Sequence, residues 1–282
     1  MINQKVLMSG AQFFSNEAHI NPYYSTEDID CQKAQAEHDT IRQAFEQAGI
    51  EIIQVEPPKD SQDGVYTANW ALVKDGKAIM ARLPDARKAE EPYAKQILEN
   101  LGFETIIVPE DWHFSGQGDA LSCGRYLLAG SGYRSDPRAQ QFAADTLGLE
   151  LIQLHTIPEL DSNGQPVVNA VSGWADSFFY DVDLAISVLR DDLIAYCPEA
   201  FDKDSQAKIE ALPIDKIRVS YDEATNGLAC NLVSTGDTVI MSNHAPELRA
   251  EIEKRGFKTI TPEISELAKG GGYIRCVSLT LD

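Results

Sequence analysis

Apolar residues recur at helical spacing in five stretches of the chain. Ile41, Ala44, Phe45 and Ala48 line one face and stop at Gly49; Tyr93, Ile97, Leu98 and Leu101 stop at Gly102. Phe142, Ala143 and Leu147 stop at Gly148, Ile209 and Leu212 at Pro213, and Leu248 and Ile252 at Gly256. Glycine supplies the left-handed turn that closes a helix, and proline cannot continue one. A short β-type run follows each stop: 50–55, 103–108, 149–154, 214–220 and 257–261. A hairpin pattern precedes four of the helices. The clearest are 70–73 turning at Lys74-Asp75-Gly76-Lys77 into 78–80, and 232–234 turning at Thr235-Gly236-Asp237 into 238–241. Residues 121–128 and 184–195 repeat the arrangement through Cys123-Gly124-Arg125 and Asp191-Asp192.

The repeating unit is strand, strand, helix, strand. Four copies lie whole within the chain, and the fifth is split. Residues 277–281 supply its first strand and 5–8 its second, completed by the Ile41 helix and the run at 50–55. Joining the ends in this way closes a ring and removes exposed sheet edges. The predicted fold is therefore α/β: a five-bladed, pseudo-symmetric α/β propeller of ββαβ modules, one domain over 1–282. A plain three-layer α/β sheet leaves the split fifth unit unexplained.

Asn69, Asp119, Asp183, Asn231 and Cys276 each open the first strand of a module, recurring roughly every 50 residues. In a ring of like modules equivalent positions face one axis, so these five polar side chains converge on a central cavity. Any one alone reads equally well as a strand-end residue. Cys276 also follows Gly270-Gly271-Gly272, which permits close backbone approach and loop movement beside a site. Cys123, Cys197 and Cys230 sit in or beside apolar runs and read as small buried hydrophobes. Cys276 is the best nucleophile candidate.

Charge narrows the partners. With 24 Lys+Arg against 44 Asp+Glu, the net charge of −20 argues against nucleic acid and anionic membrane surfaces. It is compatible with a small cationic substrate. The five cysteines are scattered with no C-x-x-C pair, which predicts reduced thiols in a cytoplasmic protein. No apolar run reaches signal-peptide or membrane-spanning length. No metal is implied, because no His/Cys/Asp cluster has ligand spacing. No cofactor is expected either: there is no phosphate loop, and the glycine run precedes a strand.

Over essentially its whole length the chain resembles the guanidino-group-modifying superfamily, the five-bladed penteins. These include arginine deiminases, dimethylarginine dimethylaminohydrolases and amidinotransferases. The resemblance rests on Gly270-Gly271-Gly272-Tyr273-Ile274-Arg275-Cys276, Val65-Tyr66-Thr67-Ala68-Asn69, Phe114-Ser115-Gly116-Gln117-Gly118-Asp119 and Phe179-Tyr180-Asp181-Val182-Asp183. It implies Cys276 as nucleophile on a guanidinium carbon, giving a covalent amidino intermediate. It further implies Asp183 as the carboxylate holding the guanidinium, with Asn69 where a guanidinium-contacting Asp or Asn sits. Arg87, Arg134 and Arg138 fall where some members hold the substrate carboxylate, against the plainer reading of each as surface arginine.

Two positions depart from the family. Asp181 occupies the place of the catalytic histidine, and Ser115 the place of the glutamate that orients it. General acid–base help is worth about 10²–10⁴-fold, so the exchange bears directly on catalysis. Carboxylates at 119, 181 and 183 would keep the Cys276 thiol protonated in the empty site, and a bound cation would relieve that. Asp181 then binds an amine or guanidine, or serves as substitute base. His113 and His155 are candidate rescuers, though each reads more simply as a satisfied or exposed histidine. The expected function is a cysteine-dependent hydrolase or amidinotransferase acting on a guanidino or related C–N compound. The alternative is a catalytically weak relative that binds a cationic metabolite or a protein partner, since fold alone does not confer activity.

Overall fold

A computed structural model describes every residue except Met1, Pro22, Asp60, Ser131 and Asp282. The chain begins with β1 (Lys5–Ser9), α1 (Cys31–Gln47) and β2 (Glu51–Val55). Three complete units follow: β3 (Ala71–Lys74), β4 (Lys77–Met80), α2 (Glu90–Asn100), β5 (Glu104–Ile107); β6 (Ala120–Cys123), β7 (Tyr126–Gly130), α3 (Pro137–Leu147), β8 (Glu150–Leu154); and β9 (Ile186–Arg190), β10 (Leu193–Tyr196), α4 (Lys203–Ala211), β11 (Asp215–Arg218). A short α5 (Tyr221–Asn226) leads to β12 (Val233–Ser234), β13 (Thr238–Ile240), α6 (Pro246–Lys254) and β14 (Lys258–Ile260). Finally β15 (Leu279–Thr280) pairs antiparallel with β1, Val6 opposite Thr280.

The described residues thus form five three-stranded sheets, all built alike. In each, the first and second strands are antiparallel, and the second and third are parallel across a helical crossover. The second strand is central and almost wholly buried, as in β7, whereas third strands such as β2 and β5 are half exposed. That is why the central runs are apolar and the outer ones carry Glu51 and Glu104.

Local chemistry sets the helix limits. In α3, the Asp136 carboxylate accepts the Arg138 N–H at 2.8 Å, Pro137 occupies the first turn, and Ala139, Ala143 and Ala144 are buried. Gly148 then ends it in the left-handed region at φ 66°. The sequence pattern does not predict α5. Its signal is nonetheless present: Ser220 caps the Glu223 N–H, the Ser-x-x-Glu start signature.

Hydrogen bonds link neighbouring units, some of them from residues just outside the strands. Thr67 Oγ1 donates to the Leu7 carbonyl (3.1 Å), Arg82 N to Phe114 O (2.8 Å) and Cys123 Sγ to Asp191 O (3.3 Å). Ser234 Oγ donates to Leu189 O (2.7 Å), and Asn3 N, ahead of β1, donates to Ser234 O (2.9 Å). The five recurring polar residues lie in the turns just ahead of the first strands rather than on them. Asn69 and Asp183 sit inside 3₁₀ turns (Thr67–Trp70 and Val182–Leu184), and Asp119 directly follows another (Gly116–Gly118). All five are buried.

Candidate active site

Those turns bring together residues that lie far apart in sequence. Asn231 Nδ2 donates to Cys276 Sγ at 3.2 Å, and its Oδ1 accepts the backbone N–H of Arg275 (2.9 Å) and of Cys276 (3.3 Å). One carboxamide therefore fixes both the sulfur and the backbone that carries it. The thiol also faces Asp183 Oδ2 at 3.6 Å. Burial raises the Cys276 pKa well above its ordinary value; Asp183, and then Asp181, add to it. The thiol is thus held protonated, with burial the largest cause and the carboxylates second.

Cys276 shares a small cavity with Asn69, Arg87, Arg134, Tyr180 and Asp181. Asp183 does not line that cavity; it lines a neighbouring pocket with Cys230 and Arg275. Asp181 Oδ2 accepts from Asn69 Nδ2 at 2.8 Å, while its Oδ1 is buried and unpartnered. Asp183 Oδ1 and Asp119 Oδ2 are likewise buried with no hydrogen-bond partner among the described residues. The other Asp119 oxygen accepts from Val182 N at 3.1 Å, which ties the Asp119 turn to the Asp183 turn. Burial pushes all three carboxyls upward; Asp181 adds to this for Asp119 and Asp183. For Asp181 itself, Arg134 works in the opposite direction. Such oxygens are costly to leave bare, and of the three residues Asp181 lines the cavity.

The arginines separate. Arg134 is buried, donates to Ile20 O at 2.7 Å and lies 4.9 Å above the Tyr180 ring, at the cavity wall. Arg87 also lines the cavity but is committed inward: it pairs with Glu90 and donates from Nη1 to Asn69 Oδ1 at 2.8 Å. Neither is a surface arginine. Arg138 does not join the site. Its side chain is 58% exposed, pairs with Asp136 at 2.6 Å and covers Trp112, because α3 turns it to solvent. His113 stacks on Trp174 and His155 ends its strand run; neither lines the cavity.

The glycine run has a packing reason. A Cβ on Gly272 would stand 2.5 Å from the Tyr66 ring, and one on Gly270 would stand 2.4 Å from the Tyr66 hydroxyl. Tyr66 and Tyr180 tie the same loop down, donating to Leu267 O (2.6 Å) and Gly271 O (2.7 Å). Close approach, one of the two uses expected of these glycines, is realised.

A family model described as "N,N dimethylarginine dimethylhydrolase, eukaryotic" matches residues 7–281. The N(G),N(G)-dimethylarginine dimethylaminohydrolase of Mycobacterium tuberculosis is 32% identical over 282 residues, 99% of this chain and 86% of that protein. This chain belongs to the dimethylarginine dimethylaminohydrolase family. With it, the chain falls in the guanidino-group-modifying superfamily that its motifs resemble, and is a hydrolase of C–N bonds. The N-terminal domain of ArgZ, a cyanobacterial arginine dihydrolase, superposes with a TM-score of 0.88 at 28% identity, over 98% of this chain and 97% of that domain; in that structure a cysteine-to-serine variant holds its substrate. The bifunctional arginine dihydrolase/ornithine cyclodeaminase AgrE of Nostoc is 32% identical over 80% of this chain, which spans 30% of AgrE. Dimethylarginine dimethylaminohydrolase from Pseudomonas aeruginosa shares the fold, at a TM-score of 0.76 and 15% identity.

Several site residues escaped the sequence pattern. Tyr24 donates to Asp63 at 2.5 Å, Asn21 lines the cavity, and Glu90 anchors Arg87. The first two lie in a long irregular segment with no periodicity to read. Glu90 follows Arg87 by three residues, a spacing that signals an ion pair but not its burial.

Proposed function

We propose that this dimethylarginine dimethylaminohydrolase relative hydrolyses a small guanidino substrate, arginine or an N-methylated arginine, through a covalent Cys276 adduct. The pocket lies on the axis of a five-bladed α/β propeller, one domain spanning 1–282; the hydrogen bonds that link neighbouring units support that ring. The observation that carries the mechanism is Cys276 Sγ held between Asn231 Nδ2 and Asp183 Oδ2, with buried, unpartnered carboxylate oxygens alongside.

A guanidinium entering over Cys276 finds Asp181 on the wall and Asp183 beneath the thiol as acceptors. Its positive charge offsets the field that keeps the thiol protonated, and Asp183 Oδ2 is placed to take the proton. Sulfur then attacks the guanidinium carbon and a C–S bond forms. The C–N bond breaks as the leaving nitrogen takes the proton that Asp183 received from the thiol, while Asp181 stays a carboxylate against the guanidinium. Asp181 next accepts a proton from water as that water adds to the amidino carbon. The C–S bond breaks, the sulfur recovers its proton, and guanidine plus water has become a ureido product plus amine. Attack by an amine in place of water would make the outcome amidino transfer. Arg134 is the cavity cation left for a substrate carboxylate. The scheme uses no cofactor or metal, and five thiols without a disulfide suit it to a cytoplasmic setting.

One observation favours a second reading, a catalytically weak binder of a cationic metabolite or a protein. The positions of the family's His/Glu pair hold Asp181 and Ser115, and no described histidine lines the cavity. Incubation with arginine, methylated arginines and agmatine, assaying ureido product and amine, separates the two. Turnover that falls at least about 10⁴-fold in Cys276→Ser, with an amidino adduct on the wild-type sulfur by mass spectrometry, is the expected result. No turnover of any guanidine, or activity indifferent to Cys276→Ser, overturns the hydrolase.

A further inference from the structure

We infer that Arg87 and Glu90 are positioning residues: they fix which end of the Asn69 carboxamide faces Asp181 and so present Asp181 to the cavity as a carboxylate. The inference rests on Asp181 being the group that handles protons in the proposed reaction.

The pair is deeply buried, with the Glu90 side chain at 0% exposure, and bidentate: Arg87 Nε to Glu90 Oε1 at 2.9 Å and Nη2 to Oε2 at 2.6 Å. A buried ion pair is often no more stabilising than apolar side chains of the same volume, so its presence calls for a geometric reason. Trp70 Nε1 donates to Glu90 at 2.8 Å and the Ser61 hydroxyl also donates, while Arg87 Nη2 reaches Asp63 O and Tyr66 O. Thus locked, Arg87 turns Nη1 on Asn69. A guanidinium only donates, so the amide must offer its oxygen. Its NH₂ is then forced the other way, onto Asp181 Oδ2 at 2.8 Å, Ser115 Oγ at 2.9 Å and Ser115 O at 3.1 Å. Gly118 leaves the space: a Cβ there would lie 2.4 Å from Asn69 Nδ2 and 2.7 Å from Asp181 Oδ2.

An N–H aimed at Asp181 favours its ionised form, and an amide oxygen in the same place would favour the protonated form. The other groups that bear on Asp181 are Arg134, Ser115, Asp119, Asp183, Tyr180, the Cys276 thiol and, through its charge, Arg87 itself. Removing the Arg87–Glu90 pair as a neutral whole takes away the charge of Arg87 together with the hold on the amide, and both losses favour protonated Asp181.

The test is the pH dependence of Cys276 alkylation by iodoacetamide in the free, full-length protein, read by mass spectrometry beside the thermal unfolding midpoint. In Arg87→Met/Glu90→Leu the amide is released and Asp181 keeps its proton to higher pH. The thiol then feels less negative charge and alkylates roughly ten-fold faster at neutral pH, where the thiolate is the reacting form. Arg87→Lys, which keeps a cationic donor beside the amide oxygen, restores the wild-type profile. A folded apolar pair with an unshifted profile overturns the inference, as does a Lys variant that behaves like the apolar pair. If the double variant does not fold, Arg87→Gln, which can present either end to Asn69, is read the same way and is expected to shift in the same direction by less. Failure to turn over any guanidine would remove the hydrolase without touching this readout.

Discussion

The two sides of the cavity are built on opposite plans. On the Asn69 side the polar groups that set the geometry are paired: Glu90 with Arg87, Arg87 with Asn69, Asn69 with Ser115 and Asp181. Around Cys276, Asp119, Asp181 and Asp183 each keep one buried oxygen without a hydrogen-bond partner among the described residues, and Asp181 lines the cavity. A saturated network has nothing left to bind with, but it holds its neighbours in one arrangement. The unsaturated side bears an electrostatic cost in the empty protein that, in the proposed reaction, the substrate cation removes. Preorganisation and binding are thus divided between two halves of one pocket.

The largest effect should follow from removing charge on the unsaturated side. Asp183→Asn takes away an acceptor for the guanidinium and the group that faces the thiol, and should lower kcat/KM by about 10²–10³-fold, the usual loss for one preorganised site group. The same change removes the nearest carboxylate from Cys276, so iodoacetamide should label the free variant faster than wild type. The two measurements must move in opposite directions; slower labelling in Asp183→Asn would show that the carboxylate activates the thiol rather than restraining it.

Next in size is the pH dependence of substrate binding. Asp181 and Asp183 are raised by burial, so each stays partly protonated above the ordinary carboxylate range. A guanidinium binds the ionised forms. KM should therefore fall as pH rises through that range, by up to about ten-fold per pH unit for each proton released, and level off above it. A KM that is flat from pH 5 to 8 would mean that the bare oxygens are not the cation's acceptors.

Much of this plan could be read from the amino-acid order, because both the repeat and the polar register are local signals. Glycine after Leu147 and Lys74-Asp75-Gly76-Lys77 between two apolar pairs state a helix end and a hairpin without any help from tertiary structure. Five polar residues at one register then predict convergence, and Asn231 does meet Cys276. What could not be read depends on which side of an element faces inward. Arg87 and Arg138 look alike in sequence, yet one is buried against Glu90 and the other pairs with Asp136 in solvent. Tyr24 and Asn21 come from an irregular segment whose path follows from packing on the glycine loop rather than from periodicity. Placing the register residues on strands was off by one to three positions, because the 3₁₀ turns ahead of the strands carry no hydrophobic period of their own.

A buried titratable group with no binding task gives a third, smaller effect. His38 lies on the inward face of α1 and is fully buried, which lowers its pKa from 6.5 to about 4. The folded protein favours the neutral ring, so its contribution is present above the unfolded value and is lost as pH falls through 6.5 toward 4. The shift corresponds to at most about 3 kcal/mol. Urea midpoints should drop across that interval in wild type and drop less in His38→Leu. Equal slopes would assign the acid sensitivity to other groups.

The smallest effect expected is at Arg138, and it sharpens the contrast between the arginines. Its pair with Asp136 is more than half exposed on the arginine side, and exposed ion pairs contribute between nothing and about 1 kcal/mol. Asp136 keeps its helix-capping bond to the backbone N–H of residue 138 whatever side chain stands there. Arg138→Ala should leave kcat/KM within about two-fold of wild type and lower stability by less than about 1 kcal/mol. Arg134→Ala, on the cavity wall, should instead raise KM for carboxylate-bearing guanidines while sparing agmatine, which lacks the carboxylate. If Arg138→Ala showed that selectivity and Arg134→Ala did not, the substrate would enter from the α3 side, and the division of the pocket into a fixed half and a binding half would have to be redrawn around Trp112.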